Sequence, residues 1–367
     1  MICRKEKQIP ISPKRILLVK THAIGDTIMI TPAMRALRNR FPHAYIVLLT
    51  GKLSKEIIDG NPDVDRILSF NESALFNRDL LHIINLIKMV RKENFEVAFV
   101  FHYSTLIHLL VLAFSIPVRI GFDKNGSGFL LTHKVPWDEK GERWTADVHL
   151  DLARFVGAEI KDKKLKIEIS EDDIKFANNF LRDNKINRDD ILIGIFPGGG
   201  KNPRDTVYQK HWGVENFAVI INTLYAKYKA KPIIFGAEDD KGITAKLSKL
   251  SKINPINTCG KVNLRQLAAL IKKCSLLITN DSAPLHIAIA VNTPTISIFG
   301  PTKARALVEK NERHIAIQSS YPCSPCYWNS KFPGCDNPKC MEAIGCDEVL
   351  NAVEQQLNKL YHPEKAH

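Results

Sequence analysis

The sequence has no apolar stretch long enough to cross a bilayer. Its longest apolar run, LIHLLVLAFSI at 106–116, falls well short of the ~20 residues a spanning helix needs. Cysteine is scarce, eight in 367 residues, too few for a secreted fold stapled by disulfides. Two phosphate-binding signatures are missing as well. No G-x-G-x-x-G follows a strand pattern and no G-x-x-x-x-G-K-[ST] occurs, so neither a dinucleotide fingerprint nor a P-loop NTPase is read here. Low-complexity tracts and short-period repeats are absent. Acidic residues are outnumbered, 39 against 52 basic ones, giving a formal charge of +13. The basic residues form no recognition motif, Arg-rich arm or aromatic-interleaved stripe, so nucleic acid is not the expected partner. Two readings of the charge stay open: lysines on solvated helix faces, as in AKLSKLSK, or an anionic small molecule or membrane surface. The basic start, MICRKEKQIPISPKR, is followed by an apolar run, ILLVK, too short for a signal peptide, and the expected location is the cytoplasm.

What is present is an ordinary globular composition, 45% hydrophobic and 25% charged, over a length that suits two domains. Short β-rich runs alternate with helical patterns, the mark of parallel sheets covered on both faces. The strand patterns of the first half fall at 15–20, 44–50, 64–70, 96–102 and 118–122. Those of the second fall at 191–196, 231–236, 254–258, 275–280 and 294–299. The clearest helical pattern, 78–94, sets Leu80, Leu81, Ile84, Ile87 and Val90 on one face, expected to point inward. Further helices are expected near 146–156, 214–228, 241–251, 263–273 and 283–291. The charged segment KDKKLKIEISEDD (161–173) is the best linker. The fold class is α/β, with two Rossmann-like doubly wound domains facing across a cleft.

Ligands of such sheets lie beyond the carboxyl ends of strands, and the chemistry of this chain is concentrated there. In NDSAPLHIA (280–288) Asp281 or Ser282 suits the cap of a helix whose first turn takes Pro284. That helix end can hold a diphosphate, with His286 one turn in; capping with no ligand fits the pattern equally. In FPGGGKNPRDTVYQKHW (196–212) three glycines, Gly198 to Gly200, permit close backbone approach beside Lys201, Arg204, Thr206 and Lys210. Near Gly25-Asp26 a strand runs into a helix, and Asp26 is either the cap of a helix over 26–39 or a general base. After 231–236, Glu238 or Asp240 fits a ribose contact or a plain helix start.

These pieces, in this order, resemble glycosyltransferase family 9, the ADP-heptose:lipopolysaccharide heptosyltransferases. The resemblance rests on ILLVKTHAIGDTIMITPAMRAL (16–37), VRIGFD (118–123), PGGGKNPRDTVYQKHW (197–212), FGAED (235–239), ITNDSAPLHIAIAVNTPTISIFGPT (278–302) and PCSPC…KCM (322–341). It implies a GT-B architecture: an acceptor-binding domain over 1–168, a nucleotide-sugar domain over 169–346, and a helix over 347–367 packing back on the first domain. It also implies inverting transfer with no catalytic metal, from ADP-heptose to a lipid A-linked inner-core acceptor, by a protein peripheral to the cytoplasmic face of the inner membrane. The roles it implies are Asp26 as the base, Gly25 beside it binding the acceptor, and Lys210 on the donor phosphates. Gly199, Thr206, Asp281, Ser282, Ala283 and His286 would surround the donor. The acidic group at Glu238 to Asp240 would hold the ribose, and Arg119 would meet the anionic acceptor. Ala283 departs from the family's usual Gly. Two alternatives stay open: another nucleotide-sugar or acceptor on the same fold (O-antigen, capsule or a small glycoside), or a non-catalytic basic protein binding nucleic acid or phospholipid.

Cys323, Cys326, Cys335 and Cys340 form C-x2-C-x8-C-x4-C. The spacing is compatible with a tetrahedral structural zinc site or with reduced thiols in a loop.

Overall fold

A computed structural model of the chain describes residues 8–77, 79–199, 207–328 and 332–361. The chain divides into two units, 1–168 and 169–367. No helix among the described residues is long and apolar enough to cross a membrane.

The first unit is a six-stranded parallel sheet ordered β3-β2-β1-β4-β5-β6. Its strands are β1 (Arg15–Val19), β2 (Tyr45–Gly51), β3 (Arg66–Phe70), β4 (Val97–Val100), β5 (Val118–Asp123) and β6 (His133–Pro136). The central strand, β1, sets Leu17 opposite Val47 on one side and Ala98 on the other. Ile16, Leu17, Leu18 and Val19 are wholly buried. Burial on both faces is why this strand reads as an unbroken apolar run rather than an alternating one.

The second unit repeats the plan. Its order is β12-β11-β10-β7-β8-β9, from β7 (Leu192–Phe196), β8 (Lys231–Ile234), β9 (Ile256–Asn257), β10 (Leu276–Asn280), β11 (Thr295–Phe299) and β12 (His314–Gln318). In each sheet the strand order reverses beside the central strand, between β1 and β4 and between β7 and β10. Loops leaving a sheet at such a reversal diverge to opposite faces and open a crevice. The exits of β1, β4, β7 and β10 are therefore where each unit can hold a ligand.

Three sequence expectations change. The edge strands β6 and β12 escaped notice, because HKVP and HIAIQ are half-exposed and mixed in character. The linker segment runs directly into the helix Glu171–Asp183, started by a capping box in which Ser170 and Asp173 bond each other's backbone N–H. The helix expected over 26–39 is two helices, Ile24–Met29 and Thr31–Arg40, with Asp26 inside the first turn and not at its cap. The C-terminal helix Cys346–Tyr361 contributes to the core of the second unit. Its face of Val349, Val353 and Leu357 completes the second unit's own core with Ile220, Ile221 and Trp212.

Candidate active site

In the second unit the exits of β7 and β10 are stapled together by Asn280. Its Nδ2 donates to Pro197 O at 2.7 Å and Gly198 O at 3.3 Å, while its Oδ1 accepts from Trp212 N at 3.1 Å. A fully buried amide with three bonds fixes both loops at once. The glycines next to it are required by contact. A Cβ on Gly198 would lie 2.1 Å from Asp240 Oδ1, and one on Gly199 would lie 2.8 Å from Ser282 Cβ, where φ is also +108°. His211 closes the turn from the other side, 2.6 Å from Gly199 O.

Lys210 and Asp281 meet at this crossing. Lys210 Nζ donates to Asp281 Oδ2 at 2.7 Å, and Thr302 Oγ1 donates to the same oxygen at 2.8 Å. Burial pushes the Asp281 carboxyl up, but the charge and hydrogen bond of Lys210, the Thr302 hydroxyl and the nearby His286 together hold it below its ordinary value of 3.8. The lysine is thus a charged group kept in an enclosed place, with its Nζ 5.3 Å from the centre of the Tyr327 ring.

Ser282 occupies the N-cap position of the helix Ala283–Ala290 but makes no side-chain cap. Its hydroxyl turns back to Asn280 O at 3.3 Å and Thr279 Oγ1 at 3.2 Å. The capping expected of Asp281 or Ser282 is therefore not made, and among the described residues the helix end beside Lys210 and the glycine turn has no side-chain cap. Such an end carries partial positive charge. Pro284, Leu285 and His286 behind it are buried, whereas Ala283 is partly exposed. Asp240 receives Ala237 N at 2.9 Å and Gly199 N at 3.4 Å, so it shapes the turn. Glu238 pairs with Lys241 and stays mostly exposed. Thr206, with Gly200, Lys201 and Arg204, lies outside the described residues.

In the first unit Asp26 stands at the exit of β1. Lys20 Nζ donates to Asp26 Oδ2 at 3.0 Å; the lysine is buried while the carboxylate is 43% exposed. Gly25 is buried in the same turn. Ala23, just before it, has φ +69° and ψ 110°, a conformation costly for alanine. Its carbonyl is pinned by both the N–H and the hydroxyl of Thr27, at 2.9 and 3.0 Å. The β4 exit supplies His102, whose Nε2 accepts from Thr21 N at 2.9 Å and whose ring stacks on His22, centroids 4.9 Å apart. A ring nitrogen that accepts from an amide carries no proton, which assigns the neutral His102 proton to Nδ1.

The sequence profile of glycosyltransferase family 9 (heptosyltransferase) matches residues 83–333. The chain belongs to this family. It is accordingly a glycosyltransferase. The lipopolysaccharide core heptosyltransferase OpsX of Haemophilus influenzae is 22% identical over 88% of this chain and 92% of its own. A family 9 glycosyltransferase structure from Veillonella parvula superposes with a TM-score of 0.82 at 24% identity, covering 96% of this chain and all of its own. Heptosyltransferase WaaC of Escherichia coli with ADP-2-deoxy-2-fluoro heptose gives 0.69 at 14%, covering 93% and 99%. The expected GT-B class of two doubly wound parallel domains stands on these likenesses and on the two sheets.

Two further candidate positions have the following surroundings. Arg119, expected to meet an anionic acceptor, is buried in β5 with its guanidinium on backbone carbonyls: Ile116 O at 2.6 Å, Leu130 O at 3.1 Å and Pro117 O at 3.5 Å. It ties strand to loop. The cysteines Cys323, Cys326, Cys335 and Cys340 are free thiols. Burial first, then the neighbouring thiols, raises the pKa of Cys326 and Cys340, which places the four sulfurs in one neighbourhood. Yet no three His, Cys, Asp or Glu side chains among the described residues are arranged to hold a metal ion. The residues that sequence reasoning passed over are Asn280, Thr302, Lys20 and the pair His22 and His102. Each stands at or just past a strand end, which was the signal available.

Proposed function

We propose that the protein transfers a heptose from ADP-heptose to an inner-core lipopolysaccharide acceptor, inverting the anomeric centre, at the cytoplasmic face of the inner membrane. One observation carries the reading: a charged, enclosed Lys210 beside a glycine turn that admits no Cβ and a helix end with no side-chain cap among the described residues. A diphosphate needs those three features together, namely fixed positive charge, amide donors and backbone that a ligand can approach closely. The donor class is supported by the family and by the sugar nucleotide bound to the Escherichia coli neighbour.

As the bond to the anomeric carbon breaks, negative charge grows on the departing diphosphate. Lys210 and the amides at the start of the helix Ala283–Ala290 stabilise that charge without having to reorganise. Exposed Glu238 accepts from ribose hydroxyls, while Asp240 and Ser282 hold the turn in shape. His286, buried behind the helix start, adds to Lys210 and Thr302 in holding the Asp281 carboxyl down. Asp26, oriented by Lys20, takes the proton of the acceptor hydroxyl as its oxygen attacks C1. One displacement at one carbon inverts it. The +13 charge of the chain suits an acceptor bearing phosphate and carboxylate groups.

Purified protein incubated with ADP-heptose and lipid acceptors truncated at successive sugars is expected to give one product of heptose added mass. Turnover with UDP- or GDP-sugars and none with ADP-heptose would overturn the donor assignment. Asp26→Asn is expected to lower kcat by about 10²–10⁴ and to leave ADP binding unchanged by calorimetry. Unaltered turnover would remove Asp26 from the mechanism.

A further inference from the structure

The helix Leu80–Lys92 is apolar on two sides. Leu86 and Val90 enter the core, but Leu80, Leu81 and Ile84, the face expected to point inward, are 68%, 75% and 46% exposed. The helix Thr105–Ala113 shows the same departure. Its sequence, TLIHLLVLA, carries no charged residue, and while Ile107, Leu110 and Val111 are buried, Leu106 and Leu109 are 45% and 52% exposed. A helix that is hydrophobic all round is ordinarily covered on all sides.

These two exposed faces belong to one surface. The connections β3 to β4 and β4 to β5 both run in the same direction across the sheet, and right-handed crossovers place both helices on the same side of it. They share one core there, through Leu86, Val90, Ile107, Leu110 and Val111. Arg91 Nε donates to Ala113 O at 2.8 Å, tying the two carboxyl ends together. The exposed leucines and Ile84 all lie in the first two turns of their helices, the ends nearest the strand exits that carry Asp26 and His102. The remainder of the longer helix's outer face is basic, with Lys88, Arg91 and Lys92 exposed. The carboxylate at its start, Asp79, is already engaged by the His82 ring at 2.7 Å.

We infer that this paired face docks on the anionic surface of a lipid bilayer, its leucines entering the headgroup–acyl boundary and Lys88 and Lys92 meeting lipid phosphates. Apolar side chains backed by cations on one helical surface are the pattern of interfacial binding. The placement brings the Asp26 edge of the first unit to the membrane, where a lipid-linked acceptor lies. The inference rests on the lipid-acceptor reading above and names the surface that serves it.

Flotation with phosphatidylcholine vesicles, with and without phosphatidylglycerol, tests it in the absence of donor and acceptor. Wild type is expected to float with the anionic vesicles, and the triple variant Leu81→Ser, Ile84→Ser, Leu109→Ser to bind at least about tenfold more weakly, with an unchanged melting curve because these side chains are exposed. Lys88→Glu with Lys92→Glu is expected to abolish the preference for phosphatidylglycerol. Wild type that fails to bind anionic vesicles, or a triple variant that binds as tightly as wild type, overturns the proposal. So does a wild-type dimer that the triple variant converts to monomer in ultracentrifugation, since the face would then join two copies. Vesicle binding retained with no heptose transfer would fail the donor reading alone; transfer to detergent-dispersed acceptor without vesicle binding would fail this face alone.

Discussion

Lys210 Nζ lies 2.7 Å from Asp281 Oδ2, with the two side chains only 11% and 7% exposed. Neither charge is tolerable there without the other. Lys210→Met leaves a buried carboxylate that still accepts from Thr302, and a loss of about 3–5 kcal/mol is expected for breaking such a pair. Lys210→Met with Asp281→Asn removes both charges and is expected to recover most of that loss in urea unfolding. Transfer is not recovered, because the charge opposite the diphosphate is gone: kcat should fall by about 10²–10³ in both variants. The folded pKa of Asp281 is depressed below 3.8, so the wild-type pair contributes its stability above that value and loses it as the pH falls further. The double variant should lack this acid limb.

Gly199 is the position where a single methyl group should separate fold from function. Its φ of +108° and the 2.8 Å approach of a built Cβ to Ser282 Cβ mean that Gly199→Ala must move either the turn or the start of the helix Ala283–Ala290. A cost of about 1–3 kcal/mol is expected from the backbone alone. The donor Kd by calorimetry should rise by at least about tenfold, since both displaced elements face the diphosphate. Gly242→Ala, where nothing lies within 4 Å of the built Cβ, is the matched control and should leave the donor Kd unchanged.

The parts of this protein that were legible in its sequence are those where one residue type answers one local need. Continuous apolar runs gave the eight inner strands because both faces of each sheet are covered. The glycines at 198–199 and the Asp281–Ser282 exit marked two strand ends that the structure brings together. What could not be read depended on geometry between distant segments. Asn280 is an ordinary strand-end amide until β7 and β10 are paired and Trp212 is brought to it. Arg119 invites an acceptor role by its charge, yet three carbonyls from neighbouring loops claim it. Leu80, Leu81 and Ile84 fit the same helical period as Leu86 and Val90, and periodicity alone does not say which apolar side faces the sheet.

Arg119 yields a prediction from those carbonyl contacts. Arg119→Gln strands the Ile116 and Leu130 carbonyls, each worth about 1–3 kcal/mol when buried without a donor. The variant should show a clearly lower melting temperature. Its KM for acceptor, measured on the folded fraction, should stay at the wild-type value. A raised KM with an unchanged melting curve would return Arg119 to the acceptor site.

His149 offers a pH signature confined to the first unit. Its ring is buried among Phe101, Phe122 and Trp137, and its Nε2 has no hydrogen-bond partner. Burial, helped by the charge of Lys20, pushes its pKa from 6.5 down to about 3. In the second unit burial and Arg313 push His314 from 6.5 to about 4. Both histidines fold in the neutral form, so the unfolded chain binds more protons as the pH falls below 6.5, and stability must fall with it. Each contribution is complete above 6.5 and is lost progressively toward the folded pKa. His149→Phe keeps the ring volume and removes both the buried orphan nitrogen and the titration. Urea midpoints of the first unit's transition, followed by backbone amide NMR signals, should therefore decline less between pH 6.5 and about 4 than in wild type, with equal or higher stability at neutral pH. A parallel decline in the two proteins would mean that His149 is already protonated in the folded state.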